Sequence, residues 1–317
     1  MALRESGVLR NTAWEFTEHY IYTFHMPLFF FLAGLFVAQS ARRTFYDYLM
    51  SKASVIIYPY FVWSILEGTL QYFASRFTNN HLSPRSLFTI LYEPIDQYWF
   101  LYAIFLMYMV FWWIHKRTIS NTNLVLCAIV LYAMEVSGVN NFGWSVLHAF
   151  CAFLIYFALG ARVAETSFFT NLKLFNGALL LSIAFSVYVL VAVAVAMNVS
   201  GLPFLHAVLA VMGNIATIAL AMSLSGSPAW SFVRTMGVYS LEIYVGHTIF
   251  SAAARIAMLK GFGYSEPILQ TVVGTAVGIG LPMVLAIWGP KVGLPYLFTW
   301  SRSRQNGEIS AIKTLRA

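Results

Sequence analysis

Charge is what this chain has least of. Only 10% of its 317 residues are charged, against 60% hydrophobic and 17% aromatic, where a soluble globular chain carries about 25% charged residues. The length alone would suggest two soluble domains, but two soluble cores cannot hide this much apolar surface. Cysteine is almost missing too. Cys127 and Cys151 are the only two, and both lie in apolar runs. That excludes a secreted disulfide scaffold and leaves two thiols expected to be buried and inert. Metal-ligand spacing, a glycine-rich phosphate loop and a nucleophile elbow are absent. No internal repeat is visible. Residues 1–21 are polar and contain no apolar stretch of the kind a signal peptide needs. The net charge of +7 does not require nucleic acid, because its basic residues are spread between apolar runs and have a simpler explanation in membrane topology.

What the chain has is long apolar runs. A helix needs about 20 mostly apolar residues to cross the hydrocarbon core. Runs of that kind lie at Tyr22–Ala41, Ala53–Ser75, Trp99–Ile114, Asn123–Val139, Trp144–Ala161, Leu174–Met197, Leu205–Leu224, Gly237–Ala257 and Ile268–Trp288. They are too long for barrel strands and show no period-two alternation. The fold class expected is all-α: a polytopic transmembrane helical bundle of about nine spans. Thirteen of the nineteen lysines and arginines fall on the side of the Arg42–Lys52 loop, and six on the other. The positive-inside rule then puts the C-terminus in the cytoplasm and the N-terminus outside. The division expected is an extracytoplasmic segment at 1–21, a membrane bundle at 22–291 and a cytoplasmic tail at 292–317. An exported N-terminus without a signal sequence is what a ten-helix protein short of its first helix would show; a miscounted span would show it too.

Charged groups inside a bilayer are expensive and therefore functional candidates. Glu67, Glu135 and Glu242 are such carboxylates, and His25, His148 and His247 fall within spans, with His206 at the mouth of another. In Gly237-Val-Tyr-Ser-Leu-Glu-Ile-Tyr-Val-Gly-His247, residues Ser240, Tyr244 and His247 share one helix face. That stripe faces a substrate cavity or serves as hydrogen-bonding glue between helices. Glu135 and His148 flank the short turn near Asn140–Gly143, which makes their helices antiparallel neighbours and sets the two at similar depth near the outer surface. They form a carboxylate-oriented imidazole or an ion pair that closes the hairpin. In Thr23-Phe-His-Met-Pro-Leu-Phe-Phe-Phe-Leu-Ala-Gly34, Pro27 fits a first helical turn, which sets His25 at the outer mouth. Arg42, Arg43 and Lys52 suit the phosphates of a cytoplasmic ligand or only mark topology. Tyr98 and Trp99 fit an aromatic belt.

These strings resemble the membrane acyltransferase 3 family, in its sugar and polysaccharide O-acetylase branch. Phe24-His-Met-Pro-Leu-Phe-Phe-Phe-Leu-Ala-Gly34 is similar to the family's second helix, and Lys52…Pro59-Tyr60 to the segment that opens its third. Trp99-Phe100-Leu101, Phe157-Ala-Leu-Gly160 and Gly237…Ser240-Leu241…Ile243-Tyr244…His247 resemble later motifs, in family order. The family's first helix has no counterpart here, and Val55 stands where a second basic residue is usual. The resemblance implies about ten transmembrane helices in a bacterial cytoplasmic membrane and transfer of an acyl group, usually acetyl, from acyl-CoA to a carbohydrate hydroxyl. It implies catalytic roles for His25, His247, Tyr244 and Ser240, with Lys52, Arg42, Arg43, Trp99, Glu135 and His148 on the substrates. No bound cofactor, metal or nucleic acid is expected; the partners are acyl-CoA, a carbohydrate or lipid-linked glycan, and membrane lipids. The alternatives are a glycan exporter or flippase, or a shortened non-catalytic member.

Overall fold

The computed structural model describes residues 12–74, 86–139, 143–172 and 175–300. The first eleven residues, the tip of the Asn140–Gly143 turn and the tail beyond 300 therefore lie outside the described residues. Among the described residues the chain is helical, without a strand. The fold is carried by α1 (Thr12–Leu35), α2 (Phe45–Lys52), α3 (Tyr58–Ala74), α4 (Trp99–Lys116), α5 (Asn121–Val136), α6 (Ser145–Val163), α7 (Gly177–Ala196), α8 (Pro203–Leu224), α9 (Ser240–Ile256) and α10 (Pro267–Trp288). It is an all-α polytopic bundle. Among the described residues six helical segments are long and apolar enough to cross a membrane: Phe45–Phe73, Asp96–Lys116, Ser145–Val163, Gly177–Ala196, Pro203–Leu224 and Pro267–Val292. The other three expected runs are helical but fall short. α5 is apolar with only 16 residues, while α1 carries Glu15, Glu18, His19 and His25 and α9 carries Glu242, His247 and Arg255.

Two helix starts differ from the sequence reading. The run expected from Ala53 begins at Phe45, because α2 continues through a π-helical turn at Ala53–Ile57 into α3. Pro59 accounts for that turn. Its nitrogen has no hydrogen for the Val55 carbonyl and its ring crowds it, and the helix absorbs the defect by widening. Likewise α1 starts at Thr12, not Tyr22, so Pro27 lies inside the helix rather than in its first turn. Apolarity marks where a helix meets lipid; a helix propagates beyond that through polar residues, and Glu15 in the first turn suits the positive end of the dipole.

The described residues divide into two compact units, one within 50–102 and 228–300, the other within 12–49 and 103–227. In the first, α9 packs on α10 with little between them. A Cβ at Gly278 would stand 2.3 Å from Ser251 Oγ and 3.1 Å from the His247 carbonyl oxygen, and Ser251 Oγ donates to the Gly274 carbonyl at 2.9 Å. Trp63, 1% exposed, ties α3 to the segment after α10 by donating Nε1 to the Leu297 carbonyl at 3.1 Å.

In the second unit α1 crosses α6 at a pair of glycines. A Cβ at Gly34 would lie 1.9 Å from the Phe157 carbonyl oxygen, and one at Gly160 would lie 2.0 Å from that of Phe31. Above this crossing Phe30 stacks on Phe153, with centroids 4.9 Å apart. α7 meets α8 through Leu180, Ala184, Ala216 and Ala219, and Tyr188 donates to Thr217 Oγ1 at 2.9 Å. Cys151 is buried as expected, but Cys127 is exposed. It shares an outward face of α5 with the exposed Leu126 and Val130, and in a lipid solvent an apolar run has no need to hide from its surroundings.

Candidate active site

Among the described residues a dense polar cluster forms around Glu67, in the third turn of α3. Its side chain is buried, and its carboxylate collects hydrogen bonds from three elements. Tyr98 OH donates to Oε2 at 2.7 Å, Thr248 Oγ1 at 3.0 Å and Gln97 Nε2 at 3.2 Å. Gln71 Nε2, one turn along α3, donates to Oε1 at 3.3 Å. The two glutamine amides and the threonine hydroxyl are used without conflict. Gln97 Nε2 gives its second hydrogen to Thr248 Oγ1 at 2.8 Å, whose own proton goes to Glu67. Gln71 gives its second to Asp96 Oδ2 at 2.6 Å. Tyr98 has one proton for Glu67 and for the Val245 carbonyl, 2.9 Å away; the carboxylate is the stronger acceptor. Each of these four side chains carries a hydrogen-bond donor, and both oxygens of the Glu67 carboxyl group are engaged. Among the described residues the ion pairs are His148–Glu135 and Arg162–Glu165, so neutral groups balance this buried acid.

Backbone geometry delivers the Asp96–Tyr98 donors. Ile95 is extended after Pro94, and a 3₁₀ turn runs over Asp96–Tyr98 into α4. Asp96 takes φ 45°, a left-handed conformation that aspartate tolerates better than most residues. That turn swings Gln97 and Tyr98 inward while Asp96 stays exposed. Tyr98 is fully buried; the aromatic-belt reading is corrected for it, since its hydroxyl is committed to Glu67 rather than to an interface. Trp99, half-buried at the start of α4, stands edge-on to Phe100 with centroids 6.4 Å apart.

α9 brings the sequence-predicted stripe to this cluster. Tyr244 OH donates to the Gln97 carbonyl, and its ring lies 5.2 Å from that of Phe100. One turn on, His247 places Nδ1 2.7 Å from the Tyr244 carbonyl oxygen and 3.2 Å from that of Ile243. A carbonyl can only accept, so Nδ1 carries the hydrogen, and in the neutral ring Nε2 holds the free lone pair. Ser240 begins α9 and is exposed. Lys52 belongs to the same unit, half-buried at the end of α2. Glu242 is buried and lines a small cavity with Leu285, Leu294, Phe298 and Thr299.

The remaining predicted residues belong to the other unit. Glu135 and His148 meet across the α5–α6 hairpin, with His148 Nδ1 2.9 and 3.1 Å from the two carboxylate oxygens. His25 is exposed on α1, its ring 5.2 Å from that of Phe29. The C-terminal ends of α4 and α6 and the residues after α1 share one end of the unit. Asn121 Nδ2 donates to the Ala161 carbonyl at 3.2 Å, and Trp112 Nε1 to that of Arg43 at 3.3 Å. α1 and α6 thus run in the same direction, and counting back equally from the Phe30–Phe153 stack brings His25 level with His148. Arg42 and Arg43 are exposed at the opposite end, beside Lys116, whose Nζ donates to the Arg42 carbonyl at 3.4 Å and lies 5.6 Å from the Trp112 ring.

Sequence reasoning singled out Glu67, Tyr244 and His247 and missed Gln97, Tyr98 and Thr248 as partners. Neutral donors carry no signal of intramembrane cost, and only the carboxylate they serve does. The family model of an acyltransferase domain, acyltransferase 3, matches residues 3–287. No curated protein and no solved structure matches the chain.

Proposed function

The chain belongs to the acyltransferase 3 family, and on that premise we propose that it is an O-acyltransferase of a bacterial cytoplasmic membrane. It moves an acyl group, acetyl being the commonest in the resemblance, from acyl-CoA to a hydroxyl of a cell-surface or exported carbohydrate. The observation that carries this reading is His247. Its Nδ1–H is held on the Tyr244 carbonyl, which leaves Nε2 as a base of fixed direction beside the Glu67 cluster. Nε2 takes the proton of the acceptor hydroxyl while the oxygen attacks the thioester carbonyl. The tetrahedral oxyanion then collapses, expels the CoA thiolate, and the imidazolium returns the proton to sulfur.

Ser240, exposed on the same face, is the available donor to the oxyanion. Tyr244 has its proton on Gln97, so in this state it orients α9 rather than donating to a substrate. His25 is the second catalytic imidazole of the reading, and Glu135 and His148 are contacts for the acceptor, as Trp99 is in its own unit. Lys52, Arg42 and Arg43 supply positive potential for the CoA phosphates on the cytoplasmic side.

Transfer of label from acetyl-CoA into carbohydrate, measured in membrane vesicles, tests the proposal. His247→Gln keeps both hydrogen-bonding functions but cannot act as a base near neutrality. It should reach the membrane at the normal level and transfer about 10²-fold more slowly. Undiminished transfer would make His247 a packing residue, and vesicles that move glycan without acylating it would favour an exporter.

A further inference from the structure

Glu67 holds four hydrogen-bond donors, yet the proposed reaction gives it no step. Three of the four donors it holds lead to α9; the fourth, Gln71, leads to Asp96. Thr248, bonded to Glu67 at 3.0 Å, follows His247 in the chain. Gln97, bonded at 3.2 Å, offers its carbonyl to Tyr244 OH, one turn before His247. Tyr98, bonded at 2.7 Å, also faces the Val245 carbonyl, between the two. On the far side α10 comes up against the same turn, where Gly278 leaves room for the His247 carbonyl. The turn that carries His247 is therefore clamped by close packing on one side and by a single carboxylate on the other.

We propose that Glu67 is a positioning residue for this turn. Its carboxylate fixes Thr248 and Gln97, and through them the direction of His247 Nε2. The proposal rests on His247 being the base only for its effect on rate; the geometric part stands without it. A buried carboxylate serves this better than an amide. It accepts from all four donors at once, whereas glutamine must turn one N–H toward a donor. A displacement of about 1 Å at a reacting group costs on the order of 10²-fold in rate, so loosening the turn is felt in turnover rather than in donor binding.

The test uses the full-length protein in membranes and reads two quantities. Acyl transfer gives kcat and the KM for acyl-CoA. Carbethoxylation by diethyl pyrocarbonate, followed peptide by peptide by mass spectrometry, reports how each imidazole nitrogen is presented. In Glu67→Ala, kcat should fall roughly 10- to 100-fold with KM unchanged, and Glu67→Gln, whose amide oxygen still accepts while its NH2 faces a donor, should restore part of it. The labelling rate of His247 should shift several-fold, on the order expected for a lost orienting contact. Those of His25 and His148, in the other unit, should not move. If Glu67→Ala does not accumulate, Thr248→Val removes the direct tether with little change of shape and should shift both readouts in the same direction. Unchanged His247 labelling in either variant overturns the proposal. So does a rise in KM that matches the fall in kcat, or a fall in the labelling of all three histidines together with membrane level, which would mark Glu67 as merely structural. Should His247→Gln transfer normally while Glu67→Ala still alters His247 labelling, the clamp stands and the base assignment falls.

Discussion

At the scale of single residues, the candidate site is marked by polar groups held inside apolar helices. Glu67 was visible in the sequence for that reason, and its cost explains why four donors surround it. Lys52 is the opposite case, a cation at a helix end whose sequence context fits both topology and ligand. The half-buried position of Lys52 before the π turn favours a defined partner over a loose surface charge. If it meets CoA phosphates, Lys52→Ala should raise the apparent KM for acyl-CoA several-fold at low ionic strength and less at high, because a Debye length of about 10 Å at 0.1 M salt shortens its reach. Steady-state kinetics in vesicles at two salt concentrations decide it. Equal KM values for variant and parent at both would return Lys52 to topology alone.

At the scale of helices, the two glycines quoted for the family resemblance have a physical account that is not catalytic. Gly34 and Gly160 let α1 and α6 approach until each backbone meets the other, the small-residue packing that membrane helices use in place of hydrophobic collapse. A Cβ at Gly34 would sit 1.9 Å from a backbone oxygen, and a backbone in a packed pair cannot step aside cheaply. Gly34→Ala should destabilise the protein by about 1–3 kcal/mol, read as an earlier midpoint of thermal unfolding in detergent. An unchanged midpoint would remove the close crossing from the account.

The helices themselves were legible, since every apolar run is helical. Their ends were less so: Pro27 read as a helix start, yet it lies inside a continuous helix, and the helix expected from Ala53 begins at Phe45. Hydropathy reports contact with lipid, and a proline reports a missing hydrogen bond, but neither reports whether the chain goes on. The Glu135–His148 pair was legible because a hairpin converts sequence distance into depth. The Glu67 cluster was not, because it joins α3, the Asp96–Tyr98 turn and α9, and no local pattern carries pairing over such separations.

At the scale of the whole molecule, the membrane sets a direction that ties the chemistry together. The proposed donor is a cytoplasmic thioester with phosphates, and the proposed acceptor is a carbohydrate destined for the cell surface. The basic residues must then lie on the donor's side, and the Glu135–His148 end of its unit on the acceptor's. The exposed basic pairs Arg42–Arg43 and Lys116–Arg117 fall at one end of that unit, with the contact of Lys116 on the Arg42 carbonyl. The hairpin that holds Glu135 and His148 is at the other, a full helix length away along α5 and α6. Cytoplasmic loops carry the excess of lysine and arginine, so the first end is predicted to be inside. Reporter fusions placed in the α4–α5 connection at Thr118 and in the α5–α6 connection at Val139 test this directly. An alkaline phosphatase reporter should be silent at Thr118 and active at Val139, and a cytoplasmic fluorescent reporter should show the converse. The reverse pattern would put His148 and Glu135 in the cytoplasm with the basic residues outside, and neither the CoA phosphates nor the exported acceptor would then meet the groups assigned to them.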